Sequence, residues 1–207
     1  MSAKIETLQE NEWVSLKKLV DPENHINGYV YSHEERCNGK IVSILPFRFK
    51  DSKLELLVRR EVTPCWDRLR AVTSAITGGV EGKDTEAKTA VKELWEEAGY
   101  KVKPEQLIPL GFCFASKSSD TIYTLYSIDF TDTEKTGEAK GDGSKLEEIG
   151  DCYWTPEDTI KNVWDPTVST TFIRLLSLLV ACQEDKKKKD LITDSAQDKI
   201  DKPKIII

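Results

Sequence analysis

Three glutamates, Glu93, Glu96 and Glu97, fall within five residues of the stretch "KELWEEAGY". On a helix of 3.6 residues per turn they point into one narrow sector, and Glu93 and Glu97 are neighbours across a turn. Like charges at that spacing repel, so the face is either well solvated or offset by something cationic. Clustered carboxylates suit a hard divalent cation such as Mg2+, which takes one or two of them together with substrate phosphates. Alone, "ELWEE" favours the solvated face, because Glu is simply a good helix former.

The glutamates belong to a longer frame. Gly78 is followed after five residues by Asp84, and after seven more by Lys92-Glu93-Leu94-Trp95-Glu96-Glu97-Ala98-Gly99-Tyr100. This 23-residue stretch resembles the Nudix box, which reads Gly, five residues, Glu, seven residues, then Arg-Glu-aliphatic-x-Glu-Glu-x-Gly-apolar. Gly78, Glu93, Leu94, Glu96, Glu97, Gly99 and Tyr100 match it, while Asp84 stands for Glu and Lys92 for Arg. Two Gly and three Glu in fixed places recur by chance in about one window in a million at ordinary residue usage. A chain of 207 residues offers far too few windows for that.

The resemblance implies an α/β fold, an α/β/α sandwich around a mixed sheet, and hydrolysis of a pyrophosphate bond in a nucleoside diphosphate linked to another group. It implies Mg2+, or Mn2+ in its place, with Glu93 and Glu97 as principal ligands. Glu96 becomes a third ligand or holds the attacking water, and the Thr77 carbonyl completes the set. For the general base, the family points to Glu96 within the box or to a carboxylate on a distant loop, and Glu93 is counted with Glu96 among the catalytic residues. Glu147 and Glu148 are the loop candidates, and read equally well as a solvated pair. In the family the box arginine orients neighbouring glutamates; Lys92 keeps the charge without the planar fork.

These residues need elements to position them. Ala87, Ala90, Val91, Leu94 and Ala98 recur at helical spacing, predicting a helix over 85–98 with Asp84 as its cap and Gly99 as its stop. "EWVSLKKLV" and "GYVYS" read as strands, and "KIVSILPFRF" with "KLELLVRR" as a hairpin across "KDS". Further strands are expected near Val72–Thr77, in "LIPLGFCFAS", in "TIYTLYSIDF" and in "CYWT", with helices in "PEDTIKN" and "VSTTFIRLLSLLVACQ". Consecutive Arg59 and Arg60 end a strand, so only one can face the box; that one is a candidate phosphate grip. Trp66, Phe114 and Tyr123 are candidates to stack a base, against the commoner role of aromatics as core. His25 and His33 read as surface residues.

The net charge of −6 argues against general binding of nucleic acid or of a membrane surface. Five cysteines without a CxxC pair fit a reduced, cytoplasmic setting. The longest apolar run, "FIRLLSLLVAC", is short for a membrane span and carries Arg174. The expected organisation is a flexible segment over 1–12, one domain over 13–183 and a charged, disordered tail over 184–207. A homodimer is open. On substrate, the chain leans towards ADP-ribose or a nucleotide sugar. Triphosphate cleavage of the house-cleaning or dihydroneopterin triphosphate type is the alternative, as is a weakly active nucleotide-binding module, which Asp84 and Lys92 would favour.

Overall fold

The computed structural model describes residues 2–139 and 150–200, with side chains as far as Glu184. At its start, β1 (Lys4–Glu10), β2 (Val14–Asp21) and β3 (Ile26–Glu34) form a three-stranded antiparallel sheet. The segment expected to be loose is thus mostly an edge strand. Every residue of β1 is exposed, so backbone pairing to β2 holds it, and a polar composition concealed it.

Two further sheets build the body. β5 (Phe47–Lys50) and β6 (Lys53–Glu61) are the expected hairpin, and Asp51 and Ser52 at its tip both take positive φ, 50° and 62°. Two such residues in a row match the right-handed twist of the strands they join. β4 (Lys40–Ile44) parts from β5 at Leu45-Pro46, and a proline there cannot extend the ladder. With β8 (Ile76–Gly79), β9 (Ile108–Phe114) and β10 (Ile122–Ser127) it makes a sheet of order β8-β4-β10-β9. β4 and β10 run parallel, which makes that sheet mixed. The third sheet runs β11-β6-β5, with β11 (Asp151–Pro156), and β7 (Val72–Ser74) also pairs with β6. β7 and β8 separate at Ala75, whose N–H leaves the ladder to donate to Asp165 Oδ2 at 2.9 Å.

The glutamates sit on α1 (Glu86–Ala98). Thr85, not Asp84, caps it: the Thr85 hydroxyl accepts from the Lys88 N–H at 3.3 Å. Asp84 lies one residue outside the helix. Gly99 ends it as expected, at φ 73°, a left-handed turn in which Tyr100 N–H reaches back to Leu94 carbonyl at 3.1 Å. Ala90, Leu94 and Ala98 are buried with Val42, Ile44 and Ile76 of the mixed sheet and Leu57 of the third sheet. The Tyr100 ring stacks on Phe130, centroids 4.2 Å apart, closing the core beneath the end of the helix.

"PEDTIKN" forms a 3-10 helix over Glu157–Asn162, with Pro156 at its N-cap. The last helix, α2 (Pro166–Ile200), runs past the Gln183 limit read from the sequence. Periodicity fades there, but no Gly or Pro interrupts Thr167 to Lys202, and its Lys, Leu and Ala residues favour a helix. The chain divides into units Met1–Thr171 and Phe172–Ile207. By length and composition Pro166–Glu184 is apolar enough to cross a membrane, at mean hydropathy 1.2, a wider window than the run read from the sequence. Its opening residues Val168 and Thr171 are fully buried, so the helix begins inside the domain.

Leu94 is fully buried where α1 meets both sheets. Leu94→Ala should lower the unfolding free energy by about 3 kcal/mol, the usual scale for a cavity left by leucine. Urea titration followed by tryptophan fluorescence measures it, and a change near zero would remove α1 from the core.

Candidate active site

Gly78 and Gly79 end β8 against the exposed turn of α1, and together with Glu81 and Asp84 of the loop between them they border a cleft of about 210 Å3. Glu93, Glu96, Glu97 and Lys92 form its helical wall. Gly78 is required by contact: a Cβ there would overlap the Glu93 carboxyl group. The first box glycine therefore makes room for the first box glutamate. Thr77 also lines the cleft.

Cations from two directions divide the carboxylates. Arg59 leaves β6 and pairs with Glu97, both side chains being almost wholly buried, and Arg59 Nε lies 3.4 Å from Glu61 Oε2. Lys92 reaches Glu96 at 3.6 Å, one turn along the helix. Glu96, more than the neighbouring Glu93 and Glu81 charges, raises the Lys92 pKa and keeps it protonated. Burial pushes the Glu97 carboxyl group up to about 8; Arg59 opposes the shift, and Glu93 and Glu61 add to it. Consequently the carboxylates share one cleft without meeting: among the described residues, no three His, Cys, Asp or Glu side chains converge on a common metal position. A divalent cation still fits the chemistry. Glu97 Oε2 is buried without a hydrogen-bond partner, and the surrounding donors are hard oxygens.

Beyond Thr77 a second cavity of about 640 Å3 opens, walled by Trp66, Tyr123 and Trp164, with Glu61 and Asp165 at its polar side. Asp165 is buried. Its Oδ1 accepts from Thr167 N–H and hydroxyl, both at 2.8 Å, and its Oδ2 from Ala75 N–H at 2.9 Å. These bonds tie the start of α2 to the β7–β8 break.

Several expected site residues stand elsewhere. Arg60 lines neither cavity; it faces outward and pairs with Asp151 at 2.9 Å. Arg59 does face the box but spends its charge on Glu97 and Glu61, which replaces the phosphate grip read from the sequence. Phe114 is 58% exposed and outside both cavities, whereas Trp66 and Tyr123 line the second. His33 is buried, 2.9 Å from Asp120, and is not a surface residue. Glu147 and Glu148 lie outside the described residues. Sequence reading missed Arg36, which lines the cleft beneath the Trp13 ring at 5.4 Å. It also missed Glu81, Trp164 and Asp165. Only Asp165 carried a local signal, as the Asp before Pro166 at a helix start.

A helix of carboxylates lies against a glycine-ended strand in a mixed α/β fold. Residues 38–175 match the NUDIX domain family, and the chain belongs to that family of pyrophosphate-bond hydrolases, whose members generally depend on a divalent metal. Among solved structures it resembles the crystal structure of an ADP compounds hydrolase, at TM-score 0.62 and 14% identity, covering 87% of this chain and 96% of that one. A comparison with curated protein sequences finds no match.

Gly78→Ala should cost more activity than stability, because the clashing atoms are the mobile end of Glu93. Steady-state turnover should fall at least about tenfold, the cost of a misplaced catalytic group. The melting temperature should shift by only a few degrees. An active variant would show that the close Gly78–Glu93 approach has no role.

The buried Glu97 also sets a pH dependence. Its folded pKa, near 8, exceeds the unfolded value of 4.5, so the native state holds a proton that the unfolded state has lost between those limits. In EDTA its contribution to stability should therefore decline as pH rises from 4.5 to about 8. Thermal unfolding should show this slope in the native chain and a flatter one in Glu97→Gln. Equal slopes would remove Glu97 as its source.

Proposed function

We propose that this chain is a divalent-metal-dependent pyrophosphohydrolase that splits the diphosphate of ADP-ribose or another nucleotide sugar. The carrying observation is that Thr77 borders both an acid-walled cleft and an aromatic cavity. A diphosphate between two bulky groups fits that division. Glu93, Glu96 and Glu97, with the Thr77 carbonyl, would hold Mg2+ or Mn2+. Bound there, the cation supplies charge neutralisation at the diphosphate and a lowered pKa for the attacking water. Glu93, fixed against Gly78, and Glu96, held by Lys92, are the carboxylates from which the cleft can supply a base; Glu147 and Glu148 remain the loop candidates. Arg36 adds a cation facing the same space.

The chain is assigned to the cytoplasm, without a nucleic-acid or membrane partner, on its acidic charge and unpaired cysteines. A homodimer is favoured by the apolar residues that β1–β3 leave exposed, among them Ile5, Leu8, Leu16 and Val30. A second reading, a nucleotide-binding module with weak turnover, is favoured by the Arg59–Glu97 pair, because that cation already neutralises a carboxylate the metal would use.

One experiment separates the readings. Purified protein is incubated with ADP-ribose, other nucleotide sugars and nucleoside triphosphates, with Mg2+, Mn2+ or EDTA, and the products are resolved by ion exchange. AMP and ribose 5-phosphate, formed only with metal, are expected. Pyrophosphate release from triphosphates would replace the substrate assignment, and nucleotide binding without products would establish the module. Glu97→Gln should lose most of the metal-dependent turnover and most of the Mg2+-induced rise in melting temperature.

A further inference from the structure

We infer that the aromatic cavity beside Thr77 selects an uncharged, hydroxyl-rich group and rejects anionic ones. This rests on the nucleotide-sugar reading and names what distinguishes accepted substrates. The two carboxylates of the cavity come from separate elements. Glu61 closes β6, and Asp165 precedes α2. Among the described residues no Lys or Arg lines the cavity, in contrast to the adjoining cleft, where Arg36 and Lys92 both do.

Neither carboxylate is fully neutralised. Glu61 shares Arg59 with Glu97, one guanidinium between two acids. Asp165 is held by neutral donors, the Ala75 and Thr167 N–H groups and the Thr167 hydroxyl, and forms no salt bridge among the described residues. Such bonds stabilise its charge without cancelling it. A facing side chain registers the resulting field: burial first, and then the Asp165 charge, push the Tyr123 hydroxyl up to about 12. Tyr123 therefore stays a neutral donor at any physiological pH.

This lining suits a sugar better than a nucleobase or a phosphate. Carboxylates accept from sugar hydroxyls, Thr63 and Thr77 can donate or accept, and indole faces cover the apolar side of a pyranose or furanose. Among the described residues no Asn or Gln lines the cavity to read the mixed donor and acceptor edge of a base. A phosphate there would meet two like charges in a cavity open to solvent along Trp66 and Trp164, where repulsion persists but is screened by salt. Phosphate recognition is thereby confined to the cleft, and the cavity admits only the neutral end of the substrate.

The test compares ADP-ribose with the same compound carrying a further phosphate on its terminal ribose, in the intact protein with Mg2+. The specificity constant should favour ADP-ribose by about tenfold or more, the scale of one partly screened charge contact. Glu61→Gln should narrow that ratio several-fold whatever it does to absolute turnover, because the ratio cancels effects transmitted through Arg59. In the native chain, raising salt from 50 mM to 500 mM should narrow it too, as screening of a charge requires. The second readout needs no variant, and a purely steric pocket would not show it. Equal turnover of the two compounds, or a ratio unmoved by both Glu61→Gln and salt, overturns the selection rule while leaving the hydrolase reading intact. Turnover of neither compound overturns the nucleotide-sugar reading, and the rule with it.

Discussion

One buried cation, Arg59, joins the two halves of the active region. It rises from β6 in one sheet, and its guanidinium ends on Glu97 of the helix that packs against the other sheet. Burial raises the pKa of the Glu97 carboxyl group to about 8, and this guanidinium opposes the rise. The chain makes room for it. A side chain at Gly150 would stand within 3 Å of the guanidinium, so that position is held open where the strand β11 begins. Glu61 shares the same cation, which couples the charge of the cleft to the charge of the neighbouring cavity. Glu97 thus stands between two demands: its Oε1 serves the fold through Arg59, while its Oε2 is buried and left without a partner.

That arrangement gives physical content to the departure at Lys92. An ammonium is a strongly hydrated point charge, and Lys92 remains more than half exposed, touching Glu96 from the rim. It has no planar fork with which to hold two buried oxygens in register. The guanidinium that meets the buried glutamate comes instead from Arg59, outside the box and 33 residues earlier in the chain. The two cations divide the work: the rim charge pairs with Glu96 near the surface, and the buried charge anchors Glu97. The substitution of Asp84 also loses its apparent role, because Thr85 takes the cap and leaves Asp84 on the wall of the cleft.

How much was legible in the sequence follows from the range of each interaction. The helix of the glutamates, its apolar stripe and its Gly99 stop depend on neighbours within four residues, so their spacing revealed them. The β5–β6 hairpin was readable for the same reason, through its short polar turn. β1 was hidden because an exposed edge strand needs no apolar alternation. The parallel pairing of β4 with β10 joins residues some 80 positions apart and leaves no local mark. Arg59 shows the limit well. Strand parity established that one of Arg59 and Arg60 must face the box, but a sequence shows neither how deep that side chain lies nor which acid it meets. Asp165 and Trp164 escaped notice because the cavity they line is assembled from four separated segments.

Thr77 borders both the acid cleft and the aromatic cavity. It sits in β8, paired with Ser43 of β4, immediately before the glycine that admits Glu93. Its position is therefore held by a strand ladder on one side and by the close approach of α1 on the other. The acid cleft and the aromatic cavity both border it, so a diphosphate lying in the cleft would deliver its attached group into the cavity. The two regions are built from different parts of the chain: the box supplies the cleft, while the loop through Trp66, the strand β10 and the start of α2 supply most of the cavity. On the proposed reading, reaction chemistry and substrate choice are separable. Substitutions at Trp66, Tyr123 or Trp164 can reshape the cavity without moving a single box carboxylate. The exception is Glu61, since its ion pair with Arg59 places its charge beside the guanidinium that meets Glu97. Under the proposed selection rule, selection and hydrolysis would be coupled at that residue, through the guanidinium that pairs with both Glu61 and Glu97.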